Sequence, residues 1–275
     1  MKWVTTIFIW LGIGLCFPLA CLPSMAADEA SWCFILSGQS NMVGQGTVKE
    51  LPASLKNNPK NIEFYLHGSQ RELAGGSQFG PEVTLAHELA AKYPRQKILL
   101  IKYAVGGTSL LAWAPEWSKE RADITKNAGN GPLYANLFRF LERGIRDKNI
   151  VYKGILWMQG ERDAKFPAAA AEYAENFRAL VQSLREDLDA PKLPFLYGIV
   201  NPPAANYPGL ADVRKAQQAF EKTVPMAKMI DTDDLAKRSD NLHYNTEGQM
   251  EMGRRFANAY LELMQSKANQ LKCMK

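Results

Sequence analysis

Two segments far apart in the chain carry the residue types needed for nucleophilic chemistry. The first is "CFILSGQSNMVGQG" (33–46), where an apolar run stops at Gly38 and Ser40 follows among small and amide residues. The second is "DNLHYNTEGQ" (240–249), which holds Asp240 and His243. A serine hydroxyl is a weak nucleophile and needs a base within hydrogen-bond reach. The chain has only three histidines. His87 falls inside a helical pattern and His67 follows the short run "IEFYL". His243 stands in a polar loop just before the last helical pattern, so it is the candidate base. Asp240, three residues earlier, is spaced to reach Nδ1 of that ring, leaving Nε2 for Ser40 and stabilising an imidazolium. The same residues also have plainer readings: Ser40 as a turn residue at a strand end, and Asp240 as a helix cap.

For this chemistry, the chain must bring these segments together. Five apolar runs have strand character: 33–37, 97–103, 153–158, 194–200 and 226–231. Most are apolar at consecutive positions, as in parallel strands buried on both faces. "IEFYL" (62–66) reads as an additional short strand. Helical periodicity occupies 81–93, 133–147, 171–188, 211–224 and 247–265. Alternating strand and helix predicts right-handed crossovers and an α/β three-layer sandwich in one domain. In such sheets ligands gather outside the carboxyl ends of the strands. The residues just past those ends are Gly38-Gln39-Ser40-Asn41, Gly106-Gly107-Thr108, Gln159-Gly160-Glu161-Arg162-Asp163, Asn201-Pro202-Pro203 and the segment with Asp240 and His243. The long segments 44–80 and 104–132 read as site-forming loops. "GQSNM" is not the G-x-S-x-G elbow, because Met42 replaces the final glycine, and the serine follows the first strand in the sequence.

Composition narrows the field of functions. The 275 residues carry a formal charge of +5, with 47% hydrophobic and 22% charged residues, an ordinary globular balance. No dense Lys/Arg cluster is interleaved with aromatics, which disfavours nucleic acid as a partner. Neither G-x-G-x-x-G nor G-x-x-x-x-G-K follows the first strand, which disfavours nucleotides. Residues 1–26 have the basic start, apolar stretch and S-x-A ending of a secretory leader. Cleavage after Ala26 is expected, leaving 27–275 as a secreted or periplasmic domain without stable membrane association; the alternative is an uncleaved anchor, since the apolar run is almost long enough to span a membrane. Cys33 and Cys273 then remain, either bridged, as export permits, or as two buried thiols. No cysteine pair has zinc-site spacing, so no metal is expected.

"FILSGQSNMVGQG", "AVGGTSLLAW", "ILWMQGERD" and "DNLHYNTEG", in this order, resemble the SGNH-hydrolase superfamily. Within it, they are similar to the sialate O-acetylesterase and carbohydrate esterase family 6 branch. The resemblance covers about residues 33–260. It implies a flavodoxin-like sandwich around a five-stranded parallel sheet, no cofactor, and removal of O-acetyl groups from carbohydrates. It implies Ser40 as nucleophile, His243 as base and Asp240 as its partner, with Glu161 of "QGE" as an alternative carboxylate. It also implies an oxyanion hole from the backbone N–H groups of Ser40 and Gly107, completed by the amide of Gln159. Asn41, Arg162 and Trp113 are candidates for substrate contact. Arg162 stands where the branch usually has a small serine, and could equally point to solvent. Trp113 could equally close its loop over the core. Two other functions stay open: an esterase or acyltransferase for other acyl groups, and a catalytically silent carbohydrate-binding protein on the same fold.

Overall fold

The computed structural model describes residues 29–273, with side chains through residue 269. The leader expected over 1–26 lies outside the described residues. Strand β1 (Ser31–Gly38) leads through one helical turn, α1 (Ser40–Val43), to β2 (Gly46–Thr47). Then come β3 (Ile62–Leu66), β4 (Ser69–Arg71), β5 (Gln78–Phe79) and α2 (Glu82–Lys92). Strand β6 (Ile98–Ala104) is followed by α3 (Lys119–Asp123), α4 (Leu133–Ile145) and β7 (Ile150–Met158). The chain continues through α5 (Glu161–Ala164), α6 (Pro167–Ala171), α7 (Tyr173–Asp187) and β8 (Phe195–Gly198). It ends with α8 (Leu210–Thr223), β9 (Ala227–Ile230) and α9 (Thr246–Cys273).

The main sheet has seven strands in the order β4-β3-β6-β1-β7-β8-β9, which corrects the expected five. Six are parallel, and β4 pairs antiparallel with β3 at the edge. "IEFYL" is the sixth parallel strand. Strand β4, "SQR", is exposed throughout and has no apolar signature to betray it. Strand β1, first in the sequence, is central in the sheet, with β6 on one side and β7 on the other. The chain therefore reverses its direction of travel across the sheet at β1, which creates a crevice at its carboxyl end.

Strand residues alternate between faces, and β6 shows how this builds the layers. Ile101 lies under α4, where a Cβ on Gly144 would meet its Cδ1 at 3.0 Å. Lys102 points the other way, to Glu82 of α2. Helix α9 packs beside α2, and its Tyr260 ring meets Phe34 edge-on at 4.9 Å. On the opposite face Phe177 of α7 and Phe220 of α8 close over Phe195 and Tyr197 of β8. Each such ring contributes roughly 1.5–3 kcal/mol by leaving water.

The possible Cys33–Cys273 bridge is not formed: Cys33 is a free, fully buried thiol. It sits between Leu99 and Tyr152 in the middle of the sheet, and burial pushes its pKa far above the usual thiol range. Helix α9 continues thirteen residues past Tyr260, about 20 Å at 1.5 Å per residue. That carries the Cys273 backbone well beyond the roughly 7 Å Cα separation a disulfide spans. No helix among the described residues is long and apolar enough to cross a membrane.

Candidate active site

The sheet register sets the height of each contributing segment. Gly38 is level with Ala104 of β6 and Met158 of β7. Ser40, Gly106 and Glu161 thus follow the same rung by two, two and three residues. Gly38 has φ +140°, and a Cβ there would lie 2.2 Å from the Met158 carbonyl oxygen, so only glycine fits this approach. Its carbonyl accepts from Val105 N–H at 3.0 Å, and Gln39 N–H donates to Met158 O at 2.8 Å. The turn that presents Ser40 is tied to both neighbouring strands.

His243 comes from farther away. Strand β9 lies three positions from β1, roughly 14 Å at sheet spacing. The segment 231–245 runs back across the strand ends as a small hairpin. Arg238 N–H donates to His243 O at 2.8 Å, and Asn245 N–H to Ala236 O at 3.0 Å. Buried Tyr244 anchors it, donating from its hydroxyl to Thr232 Oγ1 at 2.9 Å. Asn41 then joins the hairpin to the Ser40 turn: its Oδ1 accepts from Tyr244 N–H at 3.2 Å, and its Nδ2 donates to Leu242 O at 3.2 Å.

The outcome is a continuous relay. His243 Nε2 is 3.1 Å from Ser40 Oγ, and His243 Nδ1 is 2.7 Å from Asp240 Oδ2. Asp240 Oδ1 accepts from the N–H groups of Leu242 and His243, each at 2.9 Å. Partial burial raises the Asp240 pKa, but the backbone N–H and ring of His243 and the Leu242 N–H outweigh it and bring it down to about 2. Asp240 is therefore a carboxylate at neutral pH, and it makes a local turn and the imidazole contact at once. Glu161, the alternative carboxylate, bonds elsewhere: to Asn41 Nδ2 at 2.8 Å and to Gln39 Nε2. Burial raises its pKa.

Ser40 and His243 open on a cavity of about 340 Å³, also lined by Gln39, Gly106, Gly107, Glu161 and Arg162. Lys165, Tyr207 and Leu242 complete its wall. A Cβ on Gly106 would stand 3.6 Å from that of Ser40, and one on Gly107 (φ +70°) would meet nothing within 4 Å. The Gly-Gly backbone is thus laid open beside the serine. No residue of 44–80 lines the cavity; that segment is taken up by β2 to β5 and their connections, a correction to its reading as a site-forming loop.

Three other expectations are corrected. Gln159 is fully buried beneath the site, and its Nε2 donates to Thr108 O at 3.0 Å and to Asp163. With both amide hydrogens used, it cannot complete an oxyanion hole. Trp113 is fully buried, donates from Nε1 to Thr108 Oγ1 at 3.0 Å, and packs edge-on against Trp157 and Tyr103, away from substrate. Asn41 is 1% exposed with its amide committed to Glu161, Leu242 and Tyr244, so it positions the site and touches no substrate. Arg162 does reach the cavity, although its Nε and Nη2 donate to the Thr125 carbonyl at 2.9 and 2.7 Å. Gln39 was legible only as one of the strand-end residues, and Lys165 and Tyr207 were not legible as site residues. Gln39 adjoins the serine, but Tyr207 lies in the proline-rich connection after β8, where no local pattern marks it. No group of three or more His, Cys, Asp or Glu side chains suited to a metal ion occurs among the described residues.

Comparison with known proteins agrees with this architecture. Residues 30–262 match the family model described as carbohydrate esterase, sialic acid-specific acetylesterase. A protein of Arabidopsis thaliana named as a probable carbohydrate esterase is 27% identical over 256 residues, covering 83% of this chain and 89% of its own length. The X-ray structure of that plant protein superimposes with a TM-score of 0.70 at 25% identity, over 85% of this chain and 98% of the other. Two further structures share the fold at lower identity. A carbohydrate acetylesterase from Xanthomonas citri has a TM-score of 0.62 at 20% identity, over 82% of this chain and 55% of that one. NanS has a TM-score of 0.62 at 15% identity, over 86% of this chain and 98% of that one. With the family model spanning nearly all of the sheet and both halves of the relay, the chain belongs to the sialic acid-specific acetylesterase family of carbohydrate esterases.

Proposed function

We propose that the protein is a serine esterase that removes O-acetyl groups from carbohydrates through Ser40, His243 and Asp240. The observation that carries this reading is the Ser40–His243–Asp240 relay, with contacts of 3.1 and 2.7 Å, opening on a cavity beside exposed Gly-Gly backbone. Ser40 Oγ attacks the acetyl carbonyl carbon while His243 Nε2 takes the hydroxyl proton. The oxyanion of the tetrahedral intermediate accepts hydrogen bonds from the backbone N–H groups of Ser40 and Gly107; losing one such donor costs about 10² to 10³ in turnover. Collapse breaks the bond to the sugar oxygen, which leaves with the proton from His243. Water, deprotonated by the same nitrogen, then attacks the acetyl-enzyme; acetate departs and Ser40 regains its proton. Asp240 holds the ring with Nδ1 protonated and stabilises the imidazolium.

The family description and the name of the plant relative support an acetylated sugar as substrate. Ser40, His243, Arg162 and Lys165 border the cavity and offer polar groups to sugar hydroxyls. Arg162 is the candidate for substrate contact, and export directed by residues 1–26 belongs to the same proposal. The test is acetate release from aryl acetates and from a panel of acetylated polysaccharides. Ser40→Ala and His243→Ala are each expected to abolish it. Turnover near that of the unsubstituted protein in either variant would sink the relay, and a steep preference for octanoyl over acetyl esters would remove the deacetylase reading.

A further inference from the structure

The two backbone donors invoked above come from different strands, Ser40 from the end of β1 and Gly107 from the end of β6. Their separation must be held to a fraction of an ångström for both to reach one oxyanion. The single turn α5, which follows β7, is tied to both segments. From this turn Glu161 reaches Gln39 and Asn41, the residues flanking Ser40. Asp163 reaches the opposite way. It is fully buried, and its two carboxylate oxygens lie 3.1 and 3.2 Å from the Leu110 N–H that donates to them. It also accepts from Gln159 Nε2, whose other hydrogen goes to Thr108 O.

The segment 107–110 is pinned residue by residue. Asn127 donates to Gly107 O at 3.1 Å and accepts from Ser109 N–H at 2.8 Å. Gln159 takes Thr108 O and Asp163 takes Leu110 N–H. Two of the four ties therefore converge on Asp163, a residue that lines no part of the cavity. Burying a carboxyl in this way is costly unless its bonds are needed, and the proposed reaction steps make no use of it.

We propose that Asp163 is a positioning residue, which through Leu110 and Gln159 sets the Gly107 backbone donor at the distance from Ser40 that the tetrahedral intermediate requires. This rests on the esterase reading. Asp163→Asn keeps the shape but sets an amide donor against Gln159 Nε2. In the folded variant, kcat for an aryl acetate should fall by about tenfold to 10³-fold, up to the cost of one oxyanion donor. KM should change by less than about threefold, as expected when a contact made only in the transition state is weakened. Inhibition by a methylboronic acid, which forms a tetrahedral adduct on serine, should weaken in parallel with kcat. Binding of acetate, a planar ground-state mimic, should not weaken; a merely structural role would leave that ratio unmoved. Gln159→Met, which removes the amide linking Asp163 to Thr108, carries the same expectation.

Unchanged kcat in folded Asp163→Asn, alongside Ser40-dependent turnover in the unsubstituted protein, overturns this inference alone. Absence of Ser40-dependent turnover in the unsubstituted protein removes the esterase reading and this one with it. Failure of both variants to fold assigns the carboxylate to stability and also overturns the proposal.

Discussion

At the scale of single residues, the site divides carboxylates by environment. Asp240 is half exposed, accepts two backbone N–H bonds and the imidazole, and stays ionised. Glu161 and Asp163 are buried, and burial raises both, Asp163 to about 7. Only Asp240 touches His243 by hydrogen bond, so the two candidates for the imidazole partner can be ranked by experiment. Asp240→Asn should lower kcat for an aryl acetate by roughly 10² to 10⁴, because the ring loses its tautomer and its counter-charge. Glu161→Gln should cost less, since it disturbs only the amides beside Ser40. The opposite ranking in steady-state kinetics would transfer the partner role to Glu161.

At the scale of elements, the turn that carries Ser40 rests on a buried ion pair. Lys102 of β6 and Glu82 of α2 meet at 2.6 Å with side chains 3% and 4% exposed. Lys102 Nζ also donates to the Val43 carbonyl at the end of α1, and Glu82 accepts from Gly80 N–H at 2.9 Å. Burial lowers the Lys102 pKa, and Glu82 opposes that shift. Removing one partner strands the other charge in a dry interior, which costs about 3–5 kcal/mol. Lys102→Ala should lower the urea-unfolding free energy by about that amount, while Lys102→Met with Glu82→Leu should recover much of it. A loss under about 1 kcal/mol for Lys102→Ala would mean that water reaches the pair. The elements themselves were legible because their signal is local. The helical patterns at 133–147 and 211–224 became α4 and α8 within two residues at each end. Strand β4 was not legible, since an exposed edge strand of "SQR" buries nothing and makes no apolar pattern.

At the scale of the whole molecule, the buried carboxyls link stability to pH. Asp163 has a folded pKa of about 7, above its unfolded value of ~3.9, so between these values the folded state holds more protons than the unfolded state. Stability from this group is therefore present below pH ~3.9 and is lost as pH rises through ~7. Asp240, lowered to about 2, acts oppositely: its contribution is present above pH ~3.9 and is lost as pH falls through ~2. Asp163→Asn removes the first dependence and leaves the second. From pH 5 to pH 7.5 the urea-unfolding free energy should accordingly drop more for the unsubstituted protein than for the variant, by a difference on the order of a few kcal/mol. Equal drops would show that Asp163 is ionised across the whole range.

The amino-acid order alone determined the six parallel strands and the main helices, the crossover topology they imply, and the set of residues at the carboxyl edge. Each of these follows from apolar periodicity over a few residues, which local sterics and burial convert directly into structure. It also singled out His243, the histidine in the polar loop before the last helical pattern, and with it Ser40 and Asp240, while leaving Glu161 as an alternative carboxylate. Only the tertiary structure decided that the first strand is the central one, and that the 231–245 hairpin returns across three strands to meet Ser40. It alone decided which partners the side-chain amides take. Asn41, Gln159 and Gln39 carry the same kinds of donor and acceptor, and all three bond buried partners, although Gln39 also borders the cavity. A side-chain amide announces that it can hydrogen-bond, but not with what. Asn41 bonds Glu161, 120 residues away, and Leu242, 201 residues away, and contacts of that span arise only when the sheet brings the ends of its strands together.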